Sequence, residues 1–483
     1  MLDMRPLRRR PRPEPDISVT TSRVLHLVVV AVLAPLSQCV APSAHAVSPP
    51  PIDDRLLPEP APPAPPQPTV QRDLCTVLSA DSGSGRRDVP SQLAGLGLPQ
   101  AWQLTRGSGQ RVAIIDTGVS PHRRLPDLVA GGDYVFTGDG TQDCDGHGTV
   151  IAGIIAAAPD SNSDSFSGIA PEATVISIRQ SSAKFGPLSD RSSTGFGDVD
   201  TMAKAVRTAA DLGASVINIS SVACVLVTSV LDDRALGAAL AYAVDVKNAV
   251  VVAAAGNTGG TGQCPPQRSQ ATWDNVTVAV SPAWYDDYVL TVGSVNAEGA
   301  PSSFTLAGPW VDVAAPGEAV TSLSPTGDGI VNAAEGQGGS VPLSGTSYAA
   351  PVVSGLAALI RARFPTWTAR QVMQRIEATA HHPPGGWDPF VGNGIIDPLA
   401  AVSTDSPPPT ANSGPDKAPV AITPPLAPGP PDRQARDTAF TGAAICLVAL
   451  VVALAAGAAA GRLRRLRMQP DPGGPSRDGI PGD

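Results

Sequence analysis

Between residues 89 and 402 short apolar runs alternate with longer stretches of helical periodicity, and no other feature limits the fold of this chain as tightly. "RVAII" (Arg111–Ile115), "TVISI" (Thr174–Ile178), "SVINI" (Ser215–Ile219) and "AVVVAAAG" (Ala249–Gly256) read as strands without a wet face. Such strands are covered on both sides, as in a parallel sheet. Asp198–Leu212 is helical in character and ends at Gly213, a residue suited to the left-handed turn that stops a helix. Asp233–Lys247 spaces Leu236, Leu240 and Val244 four apart, as one face of a helix does. The alternation predicts an α/β fold, a parallel sheet with helices on both faces.

The flanks are unsuited to such a core. Residues 1–46 run from "RPLRRRPRP" through the apolar "VLHLVVVAVLAPL" (Val24–Leu36) to "SAHA" ending at Ala46. This order of charged, apolar and small residues predicts a secretory signal peptide cut after Ala46. An uncleaved anchor, or a lipid on Cys39 in "LSQC", are the other readings. Residues 47–88 form a proline-rich extension, which should lie extended because proline removes backbone donors. A second proline-rich linker covers 403–437.

Within 438–461, "GAAICLVALVVALAAGAAAG" (Gly442–Gly461) offers twenty uncharged residues. As a helix they reach about 30 Å, enough to cross a membrane. The arginines of "RLRRLR" then place the tail, 462–483, in the cytosol and the bulk of the chain outside.

The net charge of -9, with no basic stripe in the central region, argues against a nucleic-acid partner. Outside the signal and the apolar span lie Cys75, Cys144, Cys224 and Cys264. Export makes two disulfides the default, and three pairings are open. No CxxC pair accompanies them, so neither a metal nor a cofactor is expected.

Ser347 stands in "SGTSYAAP" (Ser344–Pro351), where small residues run into the apolar "VVSGLAALI". Its hydroxyl could cap a helix start, or it could attack a carbonyl held at the positive end of that helix. Attack requires an imidazole base, a carboxylate to orient it and donors for the oxyanion. Asp116 follows a strand in "IIDTGV", at the edge where open α/β sheets place their sites. His147 opens an apolar helix in "DCDGHGTVIAGIIAA", and Asn257 follows a strand in "VVAAAGNTGG". Each alone also suits a turn or a cap. The order Asp, His, Ser nevertheless matches one of the chain orders of serine triads. Asp143 and Asp145 could raise the His147 pKa or hold a cation, but a solvated acidic turn is the expectation.

On "DTG" at Asp116, "GHGT" at His147, "AAAGN" at Asn257 and "GTSYAAP" at Ser347, the sequence resembles the subtilisin-like serine proteases over about 310 residues. The resemblance implies that Asp116 orients His147, that His147 is the general base and then acid, and that Ser347 is the acyl nucleophile. It implies an oxyanion site made by the Asn257 side chain and the Ser347 N–H. Ser220 and Gly256 would line the substrate cleft, although a strand-end hydroxyl is an equal reading of Ser220. Val222 stands where many subtilases carry a flexible glycine.

The narrower resemblance rests on "DDRLLPEPAPPAP", "DCDGHGT", "ISIRQSS", "SFTLAGPWVDVAAPG" and the C-terminal apolar span. It is to the mycosins, membrane-anchored subtilases of actinobacterial type VII secretion systems. This implies a subtilisin-like catalytic domain over 89–402, disulfides Cys75–Cys144 and Cys224–Cys264, and an extension that wraps the domain rather than inhibiting it. It also implies exported proteins as substrates, the secretion membrane complex as partner, and a single-pass cell-membrane location. A structural role in that complex, with the cleft little used, is the alternative to proteolysis.

Overall fold

The computed structural model describes residues 47–80, 90, 92–192, 195–229, 231–260, 263–336 and 339–403, and near the C-terminus 449, 452–460 and 462–463. The expected signal peptide, the linker beyond Ser403 and the tail beyond Leu463 lie outside them.

Seven parallel strands make the central sheet: β1 (Arg111–Asp116), β2 (Leu128–Asp133), β3 (Thr174–Arg179), β4 (Val216–Ile219), β5 (Val250–Ala254), β6 (Leu290–Val295) and β7 (Val313–Pro316). Their order is β7-β6-β5-β4-β1-β3-β2. The four runs singled out in the sequence are β1, β3, β4 and β5, in register at the centre. Every residue of β4, β5 and β6 is buried, which is why these strands show no polar alternation. The order in which strands are added switches sides after β3, since β2 and β3 lie on one side of β1 and β4 to β7 on the other. This crossing is where open α/β sheets leave a crevice at the carboxyl ends of their strands.

Helix α1 (His147–Ala156) packs against α4 (Thr346–Arg363), and α2 (Val199–Asp211) against α3 (Arg234–Ala241). Asp198 caps α2 in a box with Thr201, and Gly213 takes the left-handed conformation after it, as the sequence suggests. The helix expected over Asp233–Lys247 is not uniform: it is α-helical to Ala241 and then widens into a π turn, Tyr242–Val246. Leu236, Leu240 and Val244 stay buried across the change to the wider turn. That turn carries Tyr242, whose Oη lies 2.7 Å from Asp211 Oδ1.

The extension belongs to the same compact unit as the sheet. Val47 N donates to the Trp273 carbonyl at 2.9 Å, and Pro63 occupies the space over Gly132 that a side chain there would fill. Thr69–Gln71 then pairs antiparallel with Phe185–Pro187. Cys75 is bonded to Cys144, and Leu78–Ser79 adds to the hairpin strand Ala333–Gly336. Proline thus confines the extension to short edge pairings.

A second unit begins at Ala411. Its described residues 449, 452–460 and 462–463 are helical, with exposed side chains that include Val452, Leu454 and Leu463. Among the described residues, no helix is long and apolar enough to cross a membrane.

Candidate active site

The site begins at the carboxyl end of β1. Asp116, wholly buried, accepts at Oδ1 from the Thr117 N–H at 2.8 Å and from His147 Nδ1 at 2.7 Å. His147 is the first residue of α1, after Gly146 in the left-handed conformation. Its Nε2 lies 3.0 Å from Ser347 Oγ. One line of contacts therefore joins carboxylate, imidazole and hydroxyl across 231 positions of sequence, from Asp116 to Ser347.

Ser347 is not a cap. Gly345 occupies the N-cap of α4 with no side-chain bond, and Ser347 lies in the first turn with its hydroxyl on His147. Asn257 performs the capping instead: its Oδ1 accepts from Thr346 N at 2.9 Å and from Thr346 Oγ1 at 3.0 Å. With the amide oxygen committed there, Nδ2 is left to face the serine. A methyl group built on Gly345 would stand 3.1 Å from Ser347 Oγ, 3.3 Å from Asn257 Nδ2 and 3.8 Å from Ser347 N. This hollow, open only because residue 345 has no side chain, is bounded by one hydroxyl and two N–H donors. Such a hollow suits a carbonyl oxygen that becomes negative.

The acidic turn differs from expectation. Asp143 is not a solvated residue: its Oδ1 accepts from Gly146 N and Thr117 Oγ1, and its Oδ2 from Thr149 N and Thr149 Oγ1, all within 2.8 Å. Thr117 Oγ1 in turn accepts from Gly148 N at 3.0 Å. Asp143 thus ties the end of β1 to the start of α1 and fixes the distance between Asp116 and His147. Burial, with the charge of Asp116 added to it, pushes its carboxyl up to about 6 against the bonds from Thr149 and Thr117. Asp145 accepts from the Ser182 hydroxyl and, at 2.7 Å, from Ala183 N. Among the described residues no cluster of three ligating side chains could hold a metal. The clamp was legible only as an Asp three residues ahead of a glycine at a helix start.

Burial alone would lower the pKa of His147. The charge and hydrogen bond of Asp116, with Asp143 and Asp145 behind it, outweigh burial and hold it above the ordinary 6.5.

The cleft residues divide. Gly256 is left-handed at φ 99°, and a side chain there would meet Cys264 Sγ at 3.1 Å and Val222 Cγ2 at 3.5 Å. Val222 therefore leans toward Gly256 and also lines a 120 Å³ hollow with Ser221, Met202, Gly197 and Leu236. Ser220 is buried beneath the nucleophile, where its hydroxyl donates to the Ser347 carbonyl at 2.9 Å. Cys224 is bonded to Cys264, whose N–H donates to the Asn257 carbonyl at 2.9 Å, so this bridge steadies the loop that carries Asn257.

A doubly covered parallel sheet with Asp, His and Ser in contact at its carboxyl edge defines a serine peptidase of subtilisin type. The chain belongs to the subtilase family, whose model matches residues 107–394. Mycosin-4 of Mycobacterium tuberculosis is 70% identical to it over 469 residues, 96% of this chain and 100% of that protein. The solved MycP3 protease from the type VII (ESX-3) secretion system is 46% identical with a TM-score of 0.70, covering 74% of this chain and 100% of that one. A chain in an intact ESX-5 inner membrane complex is 41% identical at a TM-score of 0.70, covering 85% of this chain and 100% of that one. These matches set the chain among the mycosins, as a subtilisin-like serine endopeptidase.

Proposed function

We propose that Ser347, His147, Asp116 and Asn257 are the catalytic set of a membrane-anchored, extracytoplasmic endopeptidase that serves a type VII secretion assembly. The observation that carries the catalytic part is the paired contact of His147 with Asp116 and with Ser347. Ser347 Oγ adds to the peptide carbonyl while its proton passes to His147 Nε2, and Asp116 holds the opposite nitrogen protonated. The oxyanion takes hydrogen bonds from Asn257 Nδ2 and Ser347 N. On collapse, the C–N bond breaks and Nε2 returns the proton to the leaving amine. Water, deprotonated by the same nitrogen, then adds to the acyl carbon; the C–Oγ bond breaks and Nε2 returns the proton to Ser347 Oγ.

Replacing Asn257 by Ala removes one of two oxyanion donors. Labelling of the folded protein by a fluorophosphonate is expected to slow by about 10² to 10³. Gly345→Ala acts in the same direction by filling the hollow. Rates within twofold of wild type in both variants would move the oxyanion elsewhere.

Only neutral His147 accepts the serine proton, so the labelling rate should rise with pH through a midpoint above 6.5, the ordinary value. The effect on stability has the opposite sign. The protonated His147–Asp116 pair stabilises the fold fully below the unfolded pKa, and that share is lost as pH rises through the folded value. A rate already level below pH 6.5 contradicts the electrostatics described.

The membrane part rests on the signal-like residues 1–46, on the uncharged run Gly442–Gly461 and on the exposed apolar side chains within it. Protease added outside intact spheroplasts should digest residues 89–402 and spare an epitope placed in 462–483. The reverse pattern would invert the orientation. The likeness to a chain inside an ESX-5 inner membrane complex favours a second role, stabilising such an assembly. Secretion that persists in a Ser347→Ala strain, with cleavage lost, would assign export to that role alone.

A further inference from the structure

Helix α4 contains a proline four residues beyond the nucleophile. In an α-helix the N–H of residue i+4 donates to the carbonyl of residue i. For Ser347 that residue is Pro351, which has no N–H and whose ring crowds the carbonyl one turn back. Buried carbonyls are almost always partnered, and Ser347 is 8% exposed. The i+4 donor is therefore missing, and the structure supplies one from outside the helix.

It comes from β4. Ser220 Oγ donates to the Ser347 carbonyl at 2.9 Å, Asn218 Nδ2 donates to Ser220 Oγ at 2.9 Å, and Ser354 Oγ donates to Asn218 Oδ1 at 2.8 Å. Asn218 and Ser354 are wholly buried. The chain of bonds leaves α4 at Ser354, crosses the end of β4 and returns to α4 two turns earlier. Its polarity is uniform. The Ser354 hydroxyl satisfies the amide oxygen of Asn218, the amide nitrogen then faces Ser220, and the one proton of Ser220 is left for Ser347.

We propose that Ser220 and Asn218 are positioning residues, and that the Ser220 hydroxyl replaces the backbone donor that Pro351 removes. It fixes the peptide unit following Ser347, and with it the tilt of the turn that aims Oγ at His147 and the Ser347 N–H at the hollow. This rests on Ser347 being the nucleophile. It also accounts for a serine at 220 that is spent beneath the site instead of facing substrate.

The test is a rescue, run on the full-length protein in detergent with a fluorophosphonate probe. Ser220→Ala should label about tenfold more slowly per folded molecule, because the Ser347 carbonyl loses its donor. Adding Pro351→Ala restores a backbone N–H four residues after Ser347, and the double variant should label within about threefold of Pro351→Ala alone. Thermal unfolding of each variant supplies the folded fraction. Should Ser220→Ala fail to fold, the double variant is expected to fold. Failure of both overturns the proposal, as does a double variant as slow as the single one, or Ser220→Ala labelling at the wild-type rate. A folded wild type that takes no label at all would remove the nucleophile reading, and this proposal with it.

Discussion

Ser347→Ala is expected to abolish peptide cleavage, a loss on the order of 10⁶ in rate, while the protein folds as before. The size follows from the division of labour. Without the hydroxyl, neither the imidazole nor the carboxylate has a proton transfer to assist, so their contributions vanish together. What survives is the hollow at Gly345, which could still polarise a carbonyl toward water at about 10³ to 10⁴ over the uncatalysed reaction. Folding should be spared because the Ser347 side chain makes its hydrogen bond to His147, whereas its backbone carbonyl is held by Ser220. The measurement is turnover of an unstructured protein substrate beside a thermal melt. Equal turnover in the variant would mean that another residue attacks.

The second large effect is on stability. Cys75–Cys144 closes a loop with a sequence separation of 69, and Cys224–Cys264 one of 40. In the chain-entropy view each contributes about 4 kcal/mol. Replacing Cys75 and Cys144 by Ser should lower Tm by about 5 °C for a domain of this size. It should also have a local consequence that the other bridge lacks. Cys144 lies between Asp143 and Asp145, and Leu78 of the extension approaches Gly146, where a side chain would meet it at 3.1 Å. Freed of the bridge, the extension should be cut faster by added trypsin after Arg72. Calorimetry with limited proteolysis tests both. An unchanged Tm with an intact extension would show that the edge pairings alone hold it.

Much of the fold was legible because the sheet is buried on both faces, so β1, β3, β4 and β5 appear as apolar runs without register ambiguity. The ends of α2 were legible from Asp198 and Gly213, whose capping is local. The triad types were legible because each sits at an element boundary within a short motif. Contacts between distant segments were not. Nothing near Asn257 signals that its amide oxygen is held by Thr346, 89 residues on. The Asp143 clamp looked like a wet acidic turn because its donors, Thr117 and Thr149, become neighbours only after β1 and α1 pack. Ser220 was ambiguous for the same reason, since its acceptor lies 127 residues away.

The most direct test of the account is to map, by mass spectrometry, where a fluorophosphonate attaches to the folded full-length protein. A single adduct on Ser347, formed faster as pH rises above that of His147 protonation, is the predicted result. An adduct on a different serine with Ser347 unmodified, or a folded protein without any adduct, would contradict it.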